Sequence, residues 1–349
     1  MKISILLLTG ALLAGCATTN AEPAATSSPV RLVAADAHGA VLMDAGAEAF
    51  TGVDRSGKVV WTDKQAYTQD AEPRCTGSCP DTTFFAARPH PATPAGFREV
   101  TAAGSTEHPL SAQVPAQAVL TARSASDAVL VTGDPELWVL RTDGTVLRLP
   151  VGTADLAWVE DSAGTTAIAL PRDPEAANGR LLRFRRDELG WRAVGDPIPS
   201  SGAWDGCLGG PGGLNMITGP GASVLTDTGR AELHTDLPRA AECVAGHRSG
   251  VVLRRTMDGV GAHRTAVRGV DVQGRQTWSR DYPARVTVAV NPEGTLVAVV
   301  QGTVLELFGA TGNRLDRRAG VLAARFTPDG ELVTVGADHR IGRDTPGSR

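Results

Sequence analysis

From about residue 30 onward the chain alternates short apolar runs with polar breaks rich in Gly, Asp, Asn and Pro. Val286 to Val300 is typical: Val-Thr-Val-Ala-Val, then Asn-Pro-Glu-Gly, then Thr-Leu-Val-Ala-Val-Val. Runs this short, rich in β-branched residues and closed by turn formers, read as strands joined by hairpins. Innermost strands of successive units are expected near residues 31, 81, 118, 155, 205, 243, 285 and 321. Residues 3–15 form one apolar run that is shorter than the roughly 20 residues needed to cross a bilayer as a helix.

The pattern repeats. Gly52-Val53-Asp54-Arg55-Ser56-Gly57-Lys58-Val59-Val60-Trp61 returns as Gly269-Val270-Asp271-Val272-Gln273-Gly274-Arg275-Gln276-Thr277-Trp278. The Asp and Gly make a turn, and the Trp is expected to pack from the returning strand between neighbouring sheets. Weaker copies stand at Arg141–Leu147, Thr226–Arg230 and Gly309–Leu315. A second marker pairs Val286–Val300 with Ala323–Val335, and its Pro292 and Pro328 lie 36 residues apart. That period approaches the roughly 40 residues of a four-stranded propeller blade.

These turns resemble the quinoprotein-like and WD-repeat families of β-propeller over most of residues 30–345. The resemblance implies an all-β propeller and carries no activity with it. Eight candidate starts fit seven or eight blades; we read seven, with eight as the alternative. The final unit shows two clear strands, so an amino-terminal strand is expected to complete it and close the ring. Gly counts 40 and Pro 22 against 4% aromatics, which suits a turn-rich chain. The six Trp residues, 61, 138, 158, 191, 204 and 278, are read as blade packing.

Lys2 followed by the apolar run and Leu13-Ala14-Gly15-Cys16 looks like the signal peptide and lipobox of bacterial lipoproteins. The resemblance implies cleavage before Cys16, acylation of that residue, and a protein held on the extracytoplasmic face of a membrane. The expected organisation is a signal peptide at 1–15, a lipid-anchored flexible stalk at 16–29, the propeller at 30–345 and a tail at 346–349. The stalk has almost nothing apolar to bury. The formal net charge of -4, with Lys and Arg scattered, gives nucleic acid nothing to bind.

Besides Cys16 there are Cys75, Cys79, Cys207 and Cys243, an even number that suggests two disulfides with three pairings open. Cys207 and Cys243 lie one blade period apart, so a bridge between adjacent inner strands is the favoured pairing. Cys75-Thr76-Gly77-Ser78-Cys79-Pro80-Asp81 precedes a predicted inner strand, and Cys75, Cys79 and Asp81 are candidates for a binding rim. Its C-x-x-x-C-P spacing also resembles the copper motif of the Sco family of chaperones, where His90 would be the third ligand. A small-loop disulfide is the favoured reading of this pair.

No close His spacing, G-x-S-x-G or phosphate-cradling motif is present in the sequence. The Cys-Cys dipeptide that clamps quinone in quinoprotein dehydrogenases is also missing, so no cofactor is inferred. The expected function is a monomeric, lipid-anchored propeller that binds a protein or cell-envelope ligand, with no catalysis inferred. The alternatives are a propeller enzyme, a lyase or hydrolase working at the channel mouth, and metal handling at Cys75 and Cys79.

Overall fold

The computed structural model describes residues 30–346 except 36–37, 45–48, 64–82, 87–95, 110–118, 124–128, 134–135, 142, 154–155, 162, 176, 227–228, 238–241, 260 and 339. Every regular element in it is a β-strand, and the strands form eight antiparallel sheets in chain order. The first holds β1 (Val30–Ala35), β2 (Gly39–Asp44), β3 (Ala49–Asp54) and β4 (Val59–Asp63). The second holds β5 (Thr83–Ala86), β6 (Gly96–Thr101) and β7 (Gly104–Pro109). β8 (Val119–Arg123), β9 (Val129–Gly133), β10 (Glu136–Leu140) and β11 (Val146–Pro150) make the third. β12 (Leu156–Glu160), β13 (Thr166–Pro171), β14 (Arg180–Asp187) and β15 (Gly190–Ala193) make the fourth, with β16 (Ile198–Pro199) added to β14.

The fifth sheet holds β17 (Asp205–Leu208), β18 (Asn215–Thr218), β19 (Ala222–Thr226) and β20 (Gly229–Glu232). The sixth holds β21 (Glu242–Ala245), β22 (Ser249–Met257), β23 (His263–Asp271) and β24 (Gln276–Tyr282). The seventh holds β25 (Val286–Val290), β26 (Leu296–Gln301), β27 (Val304–Gly309) and β28 (Arg314–Ala319). The eighth holds β29 (Val321–Phe326), β30 (Leu332–Gly336) and β31 (Ile341–Asp344).

Each sheet is too small to hide its own apolar faces, so it is covered on both sides by its neighbours. The consequence is a gradient along each meander. Leu156 to Val159 of β12 are all buried, whereas most of β20 and β28 at the outer edge is exposed. Shared cores lie between successive sheets: Leu137 and Val139 meet Trp158 and Trp191; Ile168 and Leu170 meet Trp204 and Ile217; Met216 and Val224 meet Val252 and Val270. Further round, Val251 and Val267 meet Val297 and Phe308, and Leu305 and Leu307 meet Phe326 and Leu332. A last core takes Ala323, Val333 and Val335 of the eighth sheet onto Ala40, Leu42 and Val53 of the first.

The sequence repeat has a concrete geometry. Gly52 pairs with Trp61 and Gly269 with Trp278 across a strand pair, at a register shift in both cases. A side chain at either glycine would run into the indole Nε1 of its Trp, so the repeat needs Gly there. Each ring then reaches the next sheet: Trp61 Nε1 donates to Ala102 O at 3.0 Å, and Trp278 stacks on Phe308 with centroids 5.8 Å apart. In the turns, Gly57 and Gly274 have φ of 83° and 75°, and Asp54 Oδ1 and Asp271 Oδ1 each accept two backbone N–H groups.

The topology bears on two expectations about the ring. Among the described residues eight sheets are present, as in the alternative reading rather than the favoured seven, and β5 to β7 assemble within a Pro-rich stretch that carries none of the repeat markers. Among the described residues, the amino-terminal strand does not join the final sheet. β1 pairs with β2, where Leu32 and Ala35 join the core shared with the eighth sheet, and β31 stands at the edge of a three-stranded sheet among the described residues.

Candidate functional site

The inner strands β12, β17, β21, β25 and β29 begin at one end of the ring and finish at the other. At the finishing end, here the turn end, the hairpins from the first to the second strand of the fourth, seventh and eighth sheets share one device. Asp161, Asn291 and Thr327 each precede a glycine by three residues, with Gly164, Gly294 and Gly330 at φ of 62°, 74° and 82°. In each, the glycine N–H donates back to the first residue's carbonyl. Asp161 is wholly buried, and its carboxylate accepts from the N–H and hydroxyl of both Thr165 and Thr166 at 2.7–3.0 Å. Asn291 Oδ1 does the same work for the N–H groups of Thr295 and Leu296.

Neighbouring turns are tied together. Leu214 N donates to His247 O, His247 N to Pro292 O and Arg248 N to Glu293 O, at 2.7–3.0 Å. Ser249 Oγ donates to Gly294 O. A chain of bonds thus fixes the fifth, sixth and seventh sheets at this end. Exposed charges there are mixed in sign, with Arg248 near Glu293, and Asp329 further round.

Glu160 breaks the repeat. It occupies the position that Val290 and Phe326 fill in the sister turns, and those two are buried apolar residues. Its Oε1 accepts from Trp158 Nε1 at 2.7 Å, while its Oε2 is shielded and has no hydrogen-bond partner. Burial, reinforced by the charge on Asp161, pushes this carboxyl up to about 8, against the hydrogen bond from Trp158 and the attraction of Arg186. Glu160 and Asp161 are not an acid–base pair: strand alternation turns Glu160 with Trp158 toward the third sheet, and Asp161 toward Gly210 of the fifth.

One covalent link joins this framework. Cys207 of β17 and Cys243 of β21 are disulfide-bonded, with Cα atoms 5.9 Å apart, and both are buried in the core between the fifth and sixth sheets. They lie in adjacent inner strands, as their spacing suggests, but are offset by one residue, which turns Cys207 and Cys243 toward each other across the interface between the two sheets. Cys16, Cys75, Cys79, Asp81 and His90 lie outside the described residues. Among the described residues no group of three His, Cys, Asp or Glu side chains is placed to hold a metal ion.

At the opposite end, here the loop end, the starts of inner strands bond to the hairpins between second and third strands. Val321 N donates to Thr303 O, Trp204 N to Pro171 O and Thr265 Oγ1 to Ala284 O, at 2.8–3.0 Å. One hairpin is different. β22 and β23 are nine residues each, while β21 pairs only as far as Leu253 and β24 only as far as Thr265. Among the described residues, the rows Thr256–Arg264 and Met257–His263 therefore stand beyond both flanking strands. Met257 is 65% exposed, the highest value among the large hydrophobic side chains described. Sequence reading gave this hairpin no role, although two long strands flanking Asp258–Gly261 were there to be noticed.

Arginine chemistry around it is uneven. Arg268 is buried between Asp236 and Asp281, at 2.5 and 2.7 Å, and Arg255 pairs with Glu242. Arg254, Arg264 and Arg285 make no ion pair among the described residues. Their guanidinium groups remain available to an anionic partner.

No protein family and no curated protein sequence matches the chain. Solved structures similar to it include the Neurospora crassa Pan2 WD40 domain, with 11% identity over 79% of this chain and 89% of that one, at a TM-score of 0.47. A streptogramin B lyase shares 13% identity over 91% of this chain and 93% of its own, at a TM-score of 0.39. The WD40 β-propeller domain of Doa1 shares 12% over 66% of this chain and 98% of its own, at 0.31. The chain itself is an all-β propeller.

Proposed function

We propose that this is a lipid-anchored, extracytoplasmic binding protein, tethered through acylated Cys16, whose propeller presents a protein or cell-envelope ligand with the loop end of its ring. The observation that carries the location is the Cys207–Cys243 disulfide, since such bonds persist in oxidising compartments outside the cytoplasm. The leader-like run ending in Leu13-Ala14-Gly15-Cys16 supports the same placement and supplies the anchor. Binding is favoured over catalysis because the one strongly perturbed carboxyl described, Glu160, is enclosed between sheets with its acidic neighbour turned away. The rim ahead of β5, with Cys75, Cys79 and Asp81, belongs to the same proposed surface.

The test compares the native protein with Cys16→Ser and with an unrelated domain carrying the same lipobox. Membrane association should be lost in Cys16→Ser, and photo-crosslinked pull-downs from solubilised membranes should enrich a partner over the unrelated domain. Retention of Cys16→Ser on membranes would overturn the anchor. Enrichment of nothing would overturn the binding role.

A further inference from the structure

We propose that the β22–β23 hairpin is a foot that rests the loop end of the propeller on an anionic lipid surface. The inference rests on the lipid-tether reading above and deepens it, by naming which face of the ring meets the bilayer. Three observations converge.

The first is the direction of the chain. β1 is an inner strand, and the segment leading from Cys16 reaches it at Val30, where the strand begins. Inner strands begin at the loop end, so a tether of 13 residues, Ala17 to Pro29, feeds into that end of the ring. Such a stalk spans at most roughly 45 Å fully extended and far less as a coil. The loop end is thereby held close to the bilayer.

The second is shape. Among the described residues no strand flanks the outermost two rows of the hairpin, and Met257 at its tip is exposed. An exposed, flexible thioether on a protruding tip suits the boundary between headgroups and acyl chains.

The third is charge. Arg254 and Arg264 lie on one side of the hairpin, and Arg285 in the connection beside it, all without ion pairs among the described residues. The single acid at the tip, Asp258, is turned onto its own loop, with Oδ1 accepting from Ala262 N at 2.8 Å. An apolar tip with a basic collar matches an anionic headgroup layer. Strand alternation puts Arg254 and Arg264 on one face of the hairpin and Met257 on the other, with Arg285 in the connection beside the Met257 face, so the basic groups flank the apolar tip on both sides.

The test uses the acylated full chain carrying an environment-sensitive fluorescent amino acid at 257, or at 272 as a control. Val272 sits in the turn at the far end of β23, roughly 25–30 Å away. On protein-free vesicles containing anionic lipid, the probe at 257 should shift to the blue and be quenched by lipid-borne quenchers, while the probe at 272 should not. In Arg254→Gln/Arg264→Gln/Arg285→Gln the ratio of docked to undocked protein should fall roughly fivefold per arginine removed. An unshifted probe at 257 on a chain that co-floats with vesicles would overturn the foot. A shift that needs added membrane proteins would overturn it in favour of a protein partner. A chain whose mass shows no acyl groups and which does not float would instead overturn the tether.

Discussion

Replacing Glu160 by Gln isolates the cost of holding a carboxyl between two sheets. The wild-type group titrates at about 8 in the folded protein, raised by burial with the charge on Asp161 adding to it. The unfolded chain titrates near 4.3. A raised folded value means that protonation favours the folded state. The group's contribution is complete below about pH 4, falls as the pH rises toward about 8, and is level above that. At 1.36 kcal/mol per unit, the loss between pH 5 and pH 8.5 is about 4 kcal/mol.

Gln keeps an acceptor for Trp158 Nε1 and cannot ionise, but its amide nitrogen replaces the unpartnered Oε2 at about 1–3 kcal/mol. Urea titrations at pH 5 and pH 8.5, at one ionic strength, should show the variant about 1–3 kcal/mol below wild type in the first and about 1–3 kcal/mol above it in the second. Groups common to both proteins cancel in that comparison. Equal pH dependence in the two proteins would refute the reasoning.

Other substitutions test the framework. Gly269→Ala drives a Cβ into the Trp278 indole and should cost about 1–3 kcal/mol by chemical denaturation, most of it recovered in a Trp278→Ala background. Replacing Cys207 and Cys243 together by Ala opens a 36-residue loop and should lower stability by about 4 kcal/mol, while in the native protein neither sulfur should react with alkylating agents before denaturation. Asp161→Ala strands four donors and should cost about 3 kcal/mol or more, whereas Asp161→Asn should be milder because Asn291 organises the sister turn.

Much of this architecture was legible because the repeat is local chemistry. Strand starts expected near 31, 81, 118, 155, 205, 243, 285 and 321 fall within a residue or two of β1, β5, β8, β12, β17, β21, β25 and β29, since turn-forming residues fix where most of these strands must begin. The ring count was less legible. The second sheet has no D-x-x-G turn or Trp, so nothing in its sequence separates a blade from a long irregular connection. Closure was less legible for a related reason: two strands visible after Val321 suggested a partner, but sequence does not show which edge a strand takes.

Of the candidate site, the inter-sheet disulfide followed from the period, and the tight glycine turns from composition. Glu160 was overlooked although the repeat could have revealed it, because it is a carboxylate where the sister copies have Val290 and Phe326. The protruding hairpin escaped because its length relative to β21 and β24 is a property of pairing, which periodicity does not carry.

The tether is tested most directly by the mass of the amino-terminal tryptic peptide from protein extracted from its native membrane. Cleavage after Arg31 should release a peptide that begins at Cys16 and carries a diacylglyceryl group, with or without a further acyl chain on its amine. A peptide that begins at another residue, or an unmodified Cys16, would contradict a lipid-anchored protein.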